Sequence, residues 1–182
     1  MELRLQERDS LALTGTNGSG KSTLMRIIAG QMSASEGKCY YIQNEKKIPY
    51  EQMYRHISWT GPQIMIYPDF NLSEHINLHF QFKKCLLPNP SEIISLLNLE
   101  EHADKKLRFY SSGMLQRVKL GLALFSHSDI LLLDEPTSNM DEKNAIFMLS
   151  LIEEYRQNRI LIIASNLERE IKGMKILNLS GQ

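Results

Sequence analysis

Residues 15–23 read Gly15-Thr16-Asn17-Gly18-Ser19-Gly20-Lys21-Ser22-Thr23. The spacing G-x-x-x-x-G-K-[ST] constrains this chain more than any other stretch, because it is the pattern of a phosphate-cradling P-loop. Gly15, Gly18 and Gly20 carry no Cβ, so the backbone can curl and turn several N–H groups inward. Those donors meet phosphate oxygens at the start of the next helix, where the helix dipole also favours negative charge. Lys21 adds a full positive charge, and the Ser22 hydroxyl is placed to ligate the Mg²⁺ that accompanies a nucleoside triphosphate. The flanks fit. Leu11-Ala12-Leu13-Thr14 reads as a buried strand, Leu24, Ile27 and Ile28 recur at helical spacing, and Gly30 stands where that helix should end.

Further along, Leu3 and Leu5 alternate with polar residues and predict a half-exposed strand ahead of the loop. Cys39-Tyr40-Tyr41-Ile42 is aromatic and predicts a strand, followed by a polar loop over 44–47. His56 to Thr60 predicts another strand, stopped by Gly61-Pro62. Ser73 and Glu74 read as a helix start, and Ser91 as the cap of a second helix. Ser111-Ser112-Gly113 opens a third helix, whose apolar positions Leu115, Val118, Leu122 and Phe125 lie three or four apart. Ile130-Leu131-Leu132-Leu133 is a continuous apolar run, the mark of a strand buried on both faces, and it ends in Asp134-Glu135-Pro136. Acids beyond the carboxyl end of a buried strand are costly unless they meet a metal, a cation or a reacting group. Asp141 is placed to cap a long helix, and Ile160 to Ala164 reads as a further buried strand ending at Ser165-Asn166.

Composition narrows the function classes. With 182 residues, of which 42% are apolar and 23% charged, the chain is expected to fold as one globular domain. Lys plus Arg equals Asp plus Glu at 21 each, so global charge points to neither nucleic acid nor an anionic membrane, and no nucleic-acid partner is expected. Cys39 and Cys85 make no Cys-x-x-Cys pair, and the histidines show no metal-ligand clustering. No apolar run approaches the ~20 residues of a membrane-spanning helix.

Taken in order, these segments resemble the nucleotide-binding domain of ATP-binding-cassette (ABC) proteins over nearly the whole chain. Gly15 to Thr23 resembles Walker A, and Leu131 to Glu135 resembles Walker B, continued by Pro136-Thr137-Ser138. Ser138-Asn139-Met140-Asp141 resembles the D-loop. Ser111-Ser112-Gly113-Met114 resembles a variant of the signature Leu-Ser-Gly-Gly-Gln: Ser111 and Gly113 match, while Tyr110, Ser112 and Met114 depart. The signature discriminates, because other P-loop classes lack it. The resemblance implies an α/β fold of the P-loop NTPase kind: a mainly parallel central sheet flanked by helices, with an antiparallel β portion and a helical insert over about 72–108.

It also implies roles. Gly15, Asn17, Gly18, Ser19, Gly20, Lys21, Ser22 and Thr23 would hold ATP, with Ser22 and Asp134 on Mg²⁺. Glu135 would be the general base that polarises the attacking water. Ser111 and Gly113 would contact the γ-phosphate of ATP on another protomer, so a homodimer or a paired nucleotide-binding subunit would complete the site. Gln63 resembles the Q-loop glutamine, a ligand of the metal and a relay to a membrane partner. The family spaces that glutamine slightly closer to the preceding strand, and a shift of one residue puts Pro62 there.

Departures from the family pattern also bear on function. The family's switch histidine position holds Asn166, which can donate a hydrogen bond but cannot carry charge, so ATP binding is expected to persist and hydrolysis to be slow. The family's adenine-stacking aromatic precedes Walker A, and none occurs in Met1–Thr14, which favours an N-terminally truncated chain. The expected function is that of the ATP-hydrolysing subunit of an ABC transporter, cytoplasmic and peripheral at the inner membrane through a separate membrane-spanning permease subunit. Tyr67 to His75 resembles a segment of bacterial exporter-type ATPases. Two alternatives stay open: a non-transport ABC ATPase, and a nucleotide-binding switch with very slow hydrolysis.

Overall fold

The computed structural model describes residues 2–180. They form two compact units. The first takes in the described residues up to Trp59, Ser128–Asp134 and those from Asn158 onward; the second takes in Thr60–His127 and Glu135–Gln157.

The first unit is built on a five-stranded sheet whose spatial order is Ile57–Thr60, Ile130–Asp134, Ile160–Ala164, Ser10–Thr14 and Lys175–Asn178. The strands are β1 (Ser10–Thr14), β4 (Ile57–Thr60), β5 (Ile130–Asp134), β6 (Ile160–Ala164) and β7 (Lys175–Asn178). β1 pairs in parallel with β6 and β7, and β5 pairs in parallel with β6. β5 is buried along its whole length, as its unbroken apolar run requires. Leu11 and Leu13 of β1 cluster with Leu132, Ile162 and Ala164 and with Met25 and Ile28 of helix α1 (Lys21–Ile28). Truncating a fully buried side chain such as Leu132 to alanine would cost roughly 2–5 kcal/mol. α1 ends as Gly30 predicts. Gly30 sits at φ 73, and the Gly30 and Gln31 N–H groups donate back to Ile27 and Arg26 carbonyls, a left-handed cap only glycine adopts cheaply.

Two strand expectations fail in this unit. Residues around Leu3 and Leu5 form no strand. Gln6 and Asp9 close a turn, the Gln6 N–H donating to the Asp9 carboxylate at 2.8 Å, and Arg8 stands at φ 71. The chain reverses there, so it cannot extend the ladder, although Leu3 and Leu5 still pack on the core. Strand structure in the Cys39 region shrinks to β2 (Ile42–Gln43), paired antiparallel with β3 (Lys46–Lys47). Asn44 and Glu45, both at positive φ, make the tight two-residue hairpin turn that shortens the pair. Tyr41 turns inward instead, its hydroxyl donating to the Ile28 carbonyl.

The second unit is helical: α2 (Leu72–Phe82), α3 (Glu92–Leu96), α4 (Ser112–Phe125) and α5 (Glu142–Tyr155). α2 starts one residue earlier than Ser73 implies, because Asn71 is its cap. Asn71 Oδ1 accepts from the Glu74 N–H at 2.9 Å and Glu74 accepts from the Asn71 N–H at 2.8 Å, a reciprocal capping box. Asp141 caps α5 as expected, accepting from the Asn144 N–H at 2.8 Å. A Cβ on Gly121 of α4 would come within 2.7 Å of Leu97, so glycine lets the α3 end approach the α4 backbone. The first unit closes with α6 (Glu168–Ile171) and β7.

Candidate functional site

The sheet register assembles the cradle. In adjacent parallel strands Leu13 lies beside Ala164, and Ala164 beside Asp134. The carboxyl ends of β1, β6 and β5 therefore finish level, the place where open parallel sheets carry ligands. From that edge Gly15 leaves β1, Asn166 follows β6, and Asp134 ends β5.

The loop between β1 and α1 has the curled form its glycines allow. Gly15, Gly18 and Gly20 stand at φ 145, 82 and 94. A Cβ on Gly15 would fall 2.6 Å from Ser19 Oγ, and the φ of 145 strains any residue with a side chain there. Gly20 caps α1 without a side-chain bond, and the first turn of α1 holds no acidic residue. The helix N-terminus thus keeps its positive end unneutralised. Asn17, Gly18 and Thr23 are exposed, and Ser19 and Ser22 are half-buried.

Lys21 is 8% exposed and folds back over its own loop. Its Nζ donates to the Gly15 carbonyl at 2.7 Å and to the Thr16 carbonyl at 3.2 Å. The Ser22 hydroxyl donates to Asp134 Oδ2 at 2.9 Å. Burial pushes the Asp134 carboxyl above the usual carboxylate range, opposed by the Ser22 hydrogen bond and the Lys21 charge. A hydroxyl and a carboxylate side by side at a phosphate cradle are hard oxygen donors of the kind Mg²⁺ takes.

Asn166 does something the sequence did not foretell. Its Oδ1 accepts from the Gly15 N–H at 3.0 Å and its Nδ2 donates to the Gly15 carbonyl at 2.9 Å. The first unit thus brings together the whole loop, Asp134 and Asn166.

Gln63, Ser111, Gly113 and Glu135 belong to the second unit. Gln63 is exposed in a turn. Ser111 caps α4, its Oγ accepting from the Met114 N–H at 3.2 Å, which leaves the hydroxyl proton free to donate. A Cβ on Gly113 would come within 2.8 Å of the Asn139 carbonyl, so the signature segment and the D-loop touch backbone to backbone. A small concavity here is lined by Ser111, Gly113, Arg117, Asn139 and Asp141. Glu135, next in the chain after Asp134, is exposed and sits at φ 49, unusual for a residue with a side chain.

Sequence reasoning assigned no role to Gln116. It is 5% exposed, and its Nε2 donates to the carbonyls of Glu135 at 3.2 Å and Pro136 at 3.1 Å. The Glu135 carbonyl also accepts from the Ser138 N–H at 3.1 Å. These bonds hold the strained backbone that carries Glu135. The available signal was a glutamine four residues before Leu120, on a helix whose second half is buried on every side.

Comparison with known proteins bears on this geometry. The ABC transporter family model matches residues 1–138. Phospholipid-transporting ATPase ABCA3 of Mus musculus is 27% identical over 186 residues, covering 99% of this chain and 11% of its own length. Spermidine/putrescine import ATP-binding protein PotA of Fusobacterium nucleatum is 29% identical over 161 residues, covering 85% of this chain and 43% of its own length. The chain therefore spans about a tenth of the first relative and less than half of the second. Among solved structures, an ABC transporter ATP-binding protein from Pyrococcus furiosus matches with a TM-score of 0.79 at 25% identity, covering 95% of this chain and 86% of that one. A dimeric ATP-binding cassette in a post-hydrolysis state, bound to ADP and Pi, matches with a TM-score of 0.81 at 21% identity, covering 97% and 83%; at that identity the likeness speaks for the fold alone.

Proposed function

This chain belongs to the ABC transporter family of ATP-binding domains, and from that premise we propose that it is the ATP-binding and ATP-hydrolysing part of a transporter. The observation that carries this reading is the cradle itself: Lys21 parked on the carbonyls of its own loop beside the Ser22–Asp134 pair. A triphosphate would draw Lys21 off Gly15 and Thr16, and the N–H groups of Gly18 to Ser22 would take its β-phosphate. Thr23 would assist near the α-phosphate. Ser22 and Asp134 would hold Mg²⁺, with Gln63 as a further ligand, and the ion would neutralise phosphate charge. Glu135 would orient and deprotonate the attacking water.

Ser111 and Gly113 would complete the site on a second copy or a paired nucleotide-binding subunit, so that ATP closes a head-to-tail dimer. We take residues 1–182 as one cassette with a helical insert over about 72–108. Its partner would be a membrane-spanning permease subunit at the cytoplasmic face; no helix among the described residues is itself long and apolar enough to cross a membrane. The relatives' names include both an import ATPase and a phospholipid transporter; the exporter reading rests on the Tyr67–His75 segment. Asn166, uncharged at the switch position, would keep binding and slow hydrolysis.

The test is equilibrium binding of labelled ATP and ADP with Mg²⁺, together with phosphate release. The native chain retains both nucleotides, and Lys21→Ala lowers retention by about a hundredfold, the scale of a lost charge-assisted contact pair. A native chain that retains neither nucleotide would refute the proposal.

A further inference from the structure

We propose that Asn166 is a positioning residue that clamps the first peptide of the phosphate loop, rather than a ligand of the terminal phosphate. The inference deepens the functional reading above and rests on it. β1 and β6 run in parallel register up to Leu13 and Ala164. The last main-chain bond of that ladder is the Ser165 N–H donating to the Leu13 carbonyl at 3.1 Å. One step further the backbones part, and the Asn166 side chain takes over. Its carboxamide, a copy of a peptide group, meets the Gly15 N–H and carbonyl at 3.0 and 2.9 Å. The sheet is in effect extended by one side-chain pair into the loop.

The clamp has a consequence for binding. The Gly15 carbonyl accepts from both Lys21 Nζ and Asn166 Nδ2. When phosphates draw Lys21 away, Asn166 keeps that buried carbonyl satisfied and holds the loop open in its curled form. Without Asn166, freeing Lys21 would strand the carbonyl, which is costly. The carboxamide offers donor and acceptor side by side in one plane. An imidazole, whose nitrogens face apart, cannot make the same pair. Asn166 is exposed on its outer side, so substitutions there should fold.

A γ-phosphate ligand and a loop clamp part company on ADP. For Asn166→Ala the clamp predicts ADP and ATP binding weakened by the same factor, about tenfold for two hydrogen bonds. Asn166→His should weaken both nucleotides likewise while raising saturated turnover, a split of KM from kcat. A direct readout needs no nucleotide: in Asn166→Ala the Gly15 amide proton exchanges with solvent at least about tenfold faster, while circular dichroism keeps the native form and melting falls by only about 2–4 °C. Loss of ATP binding with ADP untouched, or unchanged Gly15 exchange, overturns the clamp. A native chain that binds no nucleotide, with Gly15 exchange still dependent on Asn166, would sink the functional reading and leave the clamp standing.

Discussion

The phosphate cradle and the signature–D-loop region solve opposite problems. In the cradle the key polar groups are already partnered within the unit: Lys21 on loop carbonyls, Ser22 on Asp134, Asn166 on Gly15. On the proposed function a ligand displaces the Lys21 and Ser22 bonds while Asn166 stays on Gly15, so the loop would be a preformed site whose own groups stand in for phosphate and metal. In the signature region the backbone is fitted tightly, Gly113 against Asn139, yet its functional groups are left open. The Ser111 hydroxyl accepts a cap bond and keeps its proton. On the proposed function, the contrast teaches that the phosphate-loop groups are already partnered within one unit, while turnover would depend on groups that wait for something further.

Glu135→Gln would break that contrast most sharply. Removing a general base should lower hydrolysis by roughly 10²–10⁴-fold while nucleotide binding at the cradle is kept, and ATP-bound dimers should accumulate. Phosphate release and gel filtration with ATP check both halves. If binding falls together with hydrolysis, Glu135 belongs to the cradle and the division is wrong. Gln116→Leu sharpens the same division at smaller scale. It strips the carbonyls of Glu135 and Pro136 of a shared donor, loosening the base without touching the cradle. Saturated turnover should drop about tenfold, from a misplaced group and stranded carbonyls, with ADP affinity unmoved. An equal loss of ADP affinity would sink the positioning role.

The cradle was legible because its chemistry is packed into consecutive residues: the Gly15–Thr23 spacing needs no tertiary contact to be recognised. The β5 and β6 runs and the Asp141 cap were legible for the same reason, as local patterns of period and capping. What stayed hidden is what the sheet register or the packing decides. Asn166 meets Gly15 across 151 positions of sequence, so its role follows from where β1 and β6 stop, not from the residues around it. Gln116 was visible only as a polar residue one turn ahead of the buried half of its helix. Leu3 and Leu5 alternate as a strand would, but the Gln6–Asp9 turn outweighs alternation. Ser73 and Glu74 read as a helix start, but Asn71, paired with Glu74, caps the helix and starts it at Leu72.

The smallest effect concerns what the cradle costs at rest. Burial raises the Asp134 pKa despite Ser22 and Lys21. A carboxyl whose folded pKa exceeds its unfolded one binds more protons in the native state. Its contribution to stability is fullest below the unfolded value and is lost as pH rises through the raised one. At neutral pH ionised Asp134 therefore weighs against the nucleotide-free fold. Asp134→Asn removes that charge, and the amide oxygen can still accept from Ser22. The variant should melt about 2–4 °C higher than the native chain at pH 7.5, the shift about 1 kcal/mol makes in a domain this size. The gain should shrink as pH falls toward the ordinary carboxylate range, where the native chain sheds the penalty by taking up a proton. Binding of Mg-nucleotide should weaken in the same variant, because the carboxylate that costs stability is the proposed metal ligand. Differential scanning calorimetry across pH, with and without Mg-ADP, reads both signs. A lower melting temperature for the nucleotide-free variant would mean that the Ser22–Asp134–Lys21 cluster stabilises the resting loop outright.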